Sequence, residues 1–320
     1  MTEPTKSKLV FAADLGGTHL RVALVDQTGK IHSQVKRETP SGPKPECIVE
    51  AIINGVRELS SSQTEDVVAA SVVVPGTVDK ENTLVVQAPN LPALDHFGLK
   101  RALEEGLRLP VLLENDANAA AVGETWLGAA RGAINVICIT LGTGVGGGII
   151  IDGKLCRGTD GSAGELGHTT VDPFNGPQCK CGNTGCLEMF ASATAIVRMT
   201  REAIGRFPET TLHDQCLTSA KVYAAAKEGD ELALEIFKTV GECLGVGLAN
   251  MINILGPEVI VIGGGVANAW DLLEPTISEQ IRKRAFPSLS GSVRLKQAEC
   301  GDNAGLLGAA KLAFDLNSTD

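Results

Sequence analysis

The chain has 320 residues, enough for about two domains. Its 28 Lys and Arg against 38 Asp and Glu leave a net charge of −10, and its aromatics are 8 Phe, 2 Trp and 1 Tyr. With 43% hydrophobic residues it is not a disordered chain, and the acidic, aromatic-poor balance argues against bulk nucleic-acid binding, which needs clustered cations and stacking surfaces.

Strand-like and helical segments alternate throughout, which indicates an α/β architecture. Leu9 to Ala13 reads as a buried strand leading into Asp14-Leu15-Gly16-Gly17-Thr18, and Leu20 to Asp26 follows too soon for a helix to intervene. The pair is therefore a hairpin with a glycine-rich turn. Thr28-Gly29-Lys30 turns the chain into a third strand near 31–35. Ile48, Ile52, Val56 and Leu59 carry helical spacing across 45–59, and a buried strand over 67–74 ends at Pro75-Gly76. Val111 to Leu113 is a further strand, delivering Glu114-Asn115-Asp116 to its carboxyl end just before a helix over 117–126.

A second hairpin follows, from a strand over 134–141 through Gly142-Thr143-Gly144 to a strand over 145–152. It repeats the scheme of the first, and we read the pair as an internal repeat marking two lobes. The C-terminal half is more helical, with helical periodicity over 232–255 ended by Gly256-Pro257. A buried strand, 259–262, closes on Gly263-Gly264-Gly265, and a last helix covers 304–314. No apolar run reaches the ~18 residues of a membrane-spanning helix. The N-terminus lacks the apolar stretch of a signal peptide, so a cytoplasmic location is expected.

Several segments have the chemistry of a site. Glycines let backbone N–H groups approach an anion, so the two glycine–threonine turns could clamp a polyphosphate, although either alone is also an ordinary hairpin turn. Gly142 to Gly147 fits the dinucleotide pattern G-x-G-x-x-G, but a strand follows where that motif needs a helix, and no P-loop motif is present. Asp116 stands at the carboxyl end of a buried strand, where α/β folds place ligands, with Asn115 able to position a hydroxyl. The plain alternative is that these residues cap the next helix.

Cys179, Cys181 and Cys186 place three thiols within eight residues, and His168 lies eleven residues earlier. Such a Cys₃His set suits one tetrahedral zinc ion with a closed, structural coordination shell; the alternative is three unligated thiols. Glu165 and Glu188 bracket the cluster and suit either a glycosidase acid/base pair or hydrogen bonding to a polyol. Nine cysteines in all, an odd number, do not suggest a disulfide framework.

Asp14 to Thr18, Glu114 to Ala119, Leu141 to Gly148, Gly164 to His168 and Cys179 to Glu188 together resemble the ROK family of sugar kinases and sugar-sensing repressors. They stand in the family's order, and Val261 to Gly265 extends the likeness. The resemblance implies a two-lobed, actin-like (ribonuclease-H-like) α/β fold with ATP bound in the cleft between the lobes. The smaller lobe would comprise 1–127 with 303–320, and the larger lobe, with its zinc loop, 128–302.

It further implies that Asp116 is the general base on a sugar hydroxyl. Gly76, Asn90, Asn115, Glu165, His168 and Glu188 would contact the sugar, and His168, Cys179, Cys181 and Cys186 would hold zinc. Gly16, Gly17, Thr18, Gly142, Thr143, Gly144, Gly264 and Gly265 would surround the nucleotide, with Asp14 helping to place Mg²⁺. The expected activity is ATP-dependent phosphorylation of the 6-hydroxyl of glucose by a homodimer. Kinases for N-acetylglucosamine, N-acetylmannosamine, mannose and fructose share these motifs. The family's repressors carry a helix-turn-helix before the first phosphate turn; only 13 residues precede Asp14 here, which favours the kinase. Two departures stand out: His19 where many members have Lys, and Ala193 where Gly is usual, the latter expected near the sugar wall.

Overall fold

Each half of the chain folds around a five-stranded sheet, and both sheets follow one plan. The computed structural model describes residues 8–60, 67–213 and 215–316. The first half supplies β1 (Leu9–Leu15), β2 (His19–Asp26), β3 (Ile31–Glu38), α1 (Pro45–Leu59) and β4 (Val67–Val74). It continues with the short β5 (Thr77–Val78) and β6 (Val85–Gln87), then α2 (Leu99–Leu107), β7 (Val111–Asn115) and α3 (Asp116–Trp126). The second half opens with β8 (Val136–Leu141), β9 (Val145–Ile151) and β10 (Lys154–Leu155). Helices α4 (Glu188–Ala191), α5 (Ala193–Ala203), α6 (Ser219–Lys227) and α7 (Glu231–Leu255) follow. Last come β11 (Val259–Gly263), α8 (Trp270–Arg284), α9 (Pro287–Ser290), β12 (Arg294–Gln297) and α10 (Ala304–Leu316).

Strand order is β3-β2-β1-β4-β7 in the first sheet and β10-β9-β8-β11-β12 in the second. In both, three antiparallel strands are continued by two that run parallel to the first of them. The hairpins β1–β2 and β8–β9 hold the same place in the two sheets, so the repeat seen in the sequence is a repeat of topology. Both glycine turns, Asp116 and Gly263–Gly265 therefore fall at carboxyl ends of strands, the end at which open α/β sheets take ligands.

Helix α1 forms as its spacing predicts, with Pro45 in the first turn and Ile48, Val49, Ile52, Ile53, Val56 and Leu59 buried. Each such side chain contributes roughly 1.5–3 kcal/mol when fully buried. Helix α7 begins at the cap Asp230, whose side chain accepts the Ala233 N–H at 3.0 Å, and ends where Gly256 turns left-handed at φ +53 before Pro257. Strand β3 runs to Glu38, beyond the expected 31–35, because an edge strand needs only one apolar face and its burial alternates residue by residue.

Helices α3 and α10 pack on one another between the two sheets. Gly123 faces the Ala304 carbonyl and Gly308 the Ala119 carbonyl so closely that a Cβ at either would overlap the opposite backbone. Ala119, Leu306, Ala309 and Ala310 bury against Val10, Ala12 and Val73 of the first sheet. Ala121 and Leu312 join Val136, Cys138 and Val259 of the second. Among the described residues no helix is long and apolar enough to cross a membrane.

Candidate active site

Strand β7 delivers Asn115 and Asp116 directly into α3, and the capping question raised by the sequence resolves on one residue. Asn115 is the cap: its Oδ1 accepts the N–H groups of Ala117 (2.9 Å) and Asn118 (3.0 Å). Its Nδ2 donates to Gly76 O (3.0 Å) and Asp116 Oδ1 (3.1 Å), so the whole amide is engaged within the protein. Asp116 is the first helical residue. Its Oδ1 also accepts the Ala117 N–H at 2.9 Å.

Asp116 is open to solvent at the cleft mouth yet surrounded by protein on most sides, and this enclosure governs its ionisation. Desolvation pushes its pKa up to about 6; the Ala117 N–H opposes the rise and the nearby charge of Asp14 adds to it. Asp14 is itself paired with Arg21, directly opposite it across the β1–β2 hairpin.

Two cavities meet at this residue. The larger, about 340 Å³, is lined by Asp14, Thr140, Gly264, Gly265, Asp302 and Asp116 among others. The smaller, about 70 Å³, is lined by Asn115, Asn118, Gly146, Gly164, Glu165 and Asp116 among others. Asp116 is the one residue common to both walls. Glu165 reaches the smaller cavity because Gly164 adopts φ +95 against β9, where a Cβ would lie 2.7 Å from the Gly147 carbonyl oxygen.

The cysteine loop closes as the spacing predicts. His168, Cys179, Cys181 and Cys186 bring their ligand atoms within 4.8 Å of one another. Cys181 Sγ lies 3.7 Å from Cys186 Sγ, and Cys179 Sγ lies 3.6 Å from His168 Nδ1. A tetrahedral zinc with Zn–S of ~2.3 Å and Zn–N of ~2.0–2.1 Å needs edges of ~3.8 and ~3.6 Å, so the donor set fits that ion. His168 turns its other nitrogen, Nε2, toward Glu165, whose Oε2 is 3.8 Å away.

The remaining sequence candidates divide. Gly264 and Gly265 line the larger cavity. Gly16, Gly17, Thr18, Gly142, Thr143 and Gly144 stand at the ends of β1 and β8, next to its walls without forming them. Glu188 Oε2 accepts the Val145 N–H at 2.9 Å and lies against Gly144, tying the cysteine loop to the second glycine turn. Asn90 is exposed and lies against Gly17, outside the smaller cavity. Gly76 packs beneath Gln87 and Ala88 and acts through its carbonyl on Asn115. Ala193, expected at the sugar wall, lines neither cavity wall; its N–H donates to Gly142 O at 2.8 Å, because it opens α5 beside the second turn.

Residues 10–315 match the ROK family. The chain belongs to the ROK family. A glucokinase from Thermotoga maritima is 38% identical over 312 residues, covering 96% of this chain and 97% of the relative. The crystal structure of a ROK family glucokinase from Streptomyces griseus, in complex with glucose and AMPPNP, aligns with a TM-score of 0.81 at 38% identity, over 96% of this chain and 99% of that one. The ROK hexokinase from Thermus thermophilus aligns at 0.84 with 32% identity, over 98% and 100%. The two-lobed, actin-like fold expected of the family is the fold of this ROK protein.

Three further residues line the site or hold its residues in place. Arg21 pairs with Asp14; pairing the first hairpin residue by residue finds it. Asn118 lines the smaller cavity within the Glu114–Ala119 motif and donates to Glu114 Oε1 at 3.0 Å. Arg157 reaches from the second half of the chain to the buried Glu114, at 2.8 Å, a contact between distant segments that no local pattern announces.

Proposed function

We propose that this ROK protein is an ATP-dependent glucokinase, in which the larger cavity takes the nucleotide, the smaller one the sugar, and Asp116 acts between them. The observation that carries this reading is the position of Asp116 on the shared wall of the two cavities. A carboxylate there orients the attacking hydroxyl and accepts its proton as the bond to phosphorus forms. Phosphoryl transfer asks little else of the protein beyond positioning and charge stabilisation.

Glu165 in the smaller cavity and the outward Nε2 of His168 offer an acceptor and a donor to neighbouring hydroxyls. A zinc ion on Nδ1 would fix the imidazole tautomer, so that Nε2 carries the proton, and would stay apart from the phosphates. Asp14 would hold Mg²⁺, which would supply charge neutralisation for the phosphates; a cation there would also relieve the repulsion between Asp14 and Asp116. The three thiolates need reducing conditions to remain ligands, which supports a cytoplasmic place of action.

Purified protein assayed with ATP and Mg²⁺ against glucose, mannose, fructose, N-acetylglucosamine and N-acetylmannosamine tests the reading. Glucose is expected to give the highest kcat/KM with glucose 6-phosphate as product. A preference for an N-acetylated sugar would replace the acceptor and keep the kinase, whereas no phosphorylation of any hexose would refute both.

A further inference from the structure

The chain passes between its two sheets twice, once from β7 through α3 to β8 and once between β12 and α10. One side chain holds both crossings. Glu124, on the last turns of α3, is 1% exposed. Its Oε2 accepts the N–H of Ala129 (2.8 Å) in the first crossing and that of Glu299 (3.1 Å) in the second, while Oε1 accepts the N–H of Cys300 (2.8 Å).

The surrounding contacts sharpen the picture. The backbone carbonyl of Glu124 accepts the N–H groups of Gly128 and Ala130, each at 3.1 Å. Lys296 of β12 donates to Ala129 O at 2.8 Å, a second tie between the crossings. A Cβ at Gly128 would overlap Glu124 Oε2, so the residue at 128 is small where the carboxylate lies. Glu124 has no cation among its described partners. A buried carboxylate is costly to desolvate, and three backbone donors from two segments are what offset that cost. Glu124 also stands on the wall of the larger cavity, as do Gly301 and Asp302 of the second crossing.

We propose that Glu124 is a positioning residue that pins the two crossings into a single hinge and so sets the lobe closure on which phosphoryl transfer depends. The catalytic consequence rests on the kinase reading given above; the mechanical one does not. Two segments free to bend separately would let the lobes close along many paths. A shared acceptor makes them bend about one point, bringing the nucleotide wall to Asp116 in one geometry.

Two variants test this from opposite sides. Glu124→Gln keeps the size of the side chain but turns N–H donors toward backbone donors, and Gly128→Ala displaces an unaltered carboxylate. Each is compared with wild type by circular dichroism, glucose affinity, kcat at saturating substrates, and small-angle scattering with and without glucose plus AMPPNP. The pin predicts native circular dichroism and glucose Kd within about twofold, with kcat lowered about tenfold to 10²-fold, as for misplaced reacting groups. The compaction that wild type shows on adding both ligands should shrink or vanish in both variants. If either folded variant melts earlier yet keeps wild-type kcat and full compaction, Glu124 only stabilises the fold and the proposal is overturned. A wild type unable to phosphorylate glucose would remove the functional reading instead, leaving the pin to be judged on compaction, which both variants must still alter.

Discussion

Lowering the pH of a glucose phosphorylation assay from 7 to 5 should cut kcat/KM about tenfold, because the base must be ionised to accept a proton. With a pKa of about 6, Asp116 is roughly nine-tenths ionised at pH 7 and one-tenth at pH 5. At the ordinary value of 3.8 it would lose less than about a tenth of its ionised form over the same range. Direct quantification of ADP keeps coupling enzymes from setting the acid limb. Since Asp14 contributes to the rise, Asp14→Asn should move the midpoint to lower pH even while it weakens turnover.

The same shift has a signed effect on stability. A pKa raised in the folded state means that the relative stabilisation is full below pH about 4 and is lost as pH rises through about 6. Asp116→Asn should therefore stabilise the protein at pH 7 to 8, by an amount on the order of 1 kcal/mol once solvent screening at the open cleft is allowed for, and not at pH 3.5. An acid limb that stays flat to pH 5, or a midpoint unmoved by Asp14→Asn, would refute this electrostatic account.

Elemental analysis should find one zinc per chain, and His168→Ala or Cys181→Ser in protein that stays folded should raise the glucose KM severalfold while the ATP KM changes little. Unchanged glucose KM in both would reduce zinc to a loop staple. Asp26 tests the first hairpin: burial opposes its charge, but hydrogen bonds from Thr28, His32 and the Lys30 N–H outweigh it and lower its pKa to about 2. A depressed pKa contributes stability above pH about 4 that is lost as pH falls through about 2, a contribution of about 2 kcal/mol. Denaturant unfolding of Asp26→Asn against wild type should show that difference at pH 6 and its disappearance near pH 2.

Much of this was legible in the sequence, for reasons that differ by element. Strand β4 and helix α1 are bounded by the residues their patterning predicts, since a continuous apolar run and a clean helical stripe each admit one solution. The Cys₃His cluster was legible because four donor side chains close together in sequence leave the loop few ways to fold. Elements such as α2 and α8 were not picked out: α2 has only Leu99 and Leu103 buried, and α8 carries Pro275 inside it. The site's long-range parts were hidden for a different reason. Glu124 meets Glu299 and Cys300, and Glu114 meets Arg157, across separations that no periodicity spans. The division of labour between Asn115 and Asp116 also needed geometry, because either residue type suits a cap and only the backbone shows which one takes it.

The turnover of Asp116→Asn tests the role of Asp116 most directly. Asparagine preserves the shape of the side chain and can still accept the Ala117 N–H, but it cannot take the proton from a hydroxyl. Measured side by side with wild type at pH 7.5, with saturating ATP, Mg²⁺ and glucose, the variant should lose at least ~10²-fold in kcat while glucose Kd by calorimetry stays within a few-fold. A variant that binds glucose and turns over at near wild-type rate would contradict the account, and would leave Asp116 as no more than the first residue of α3.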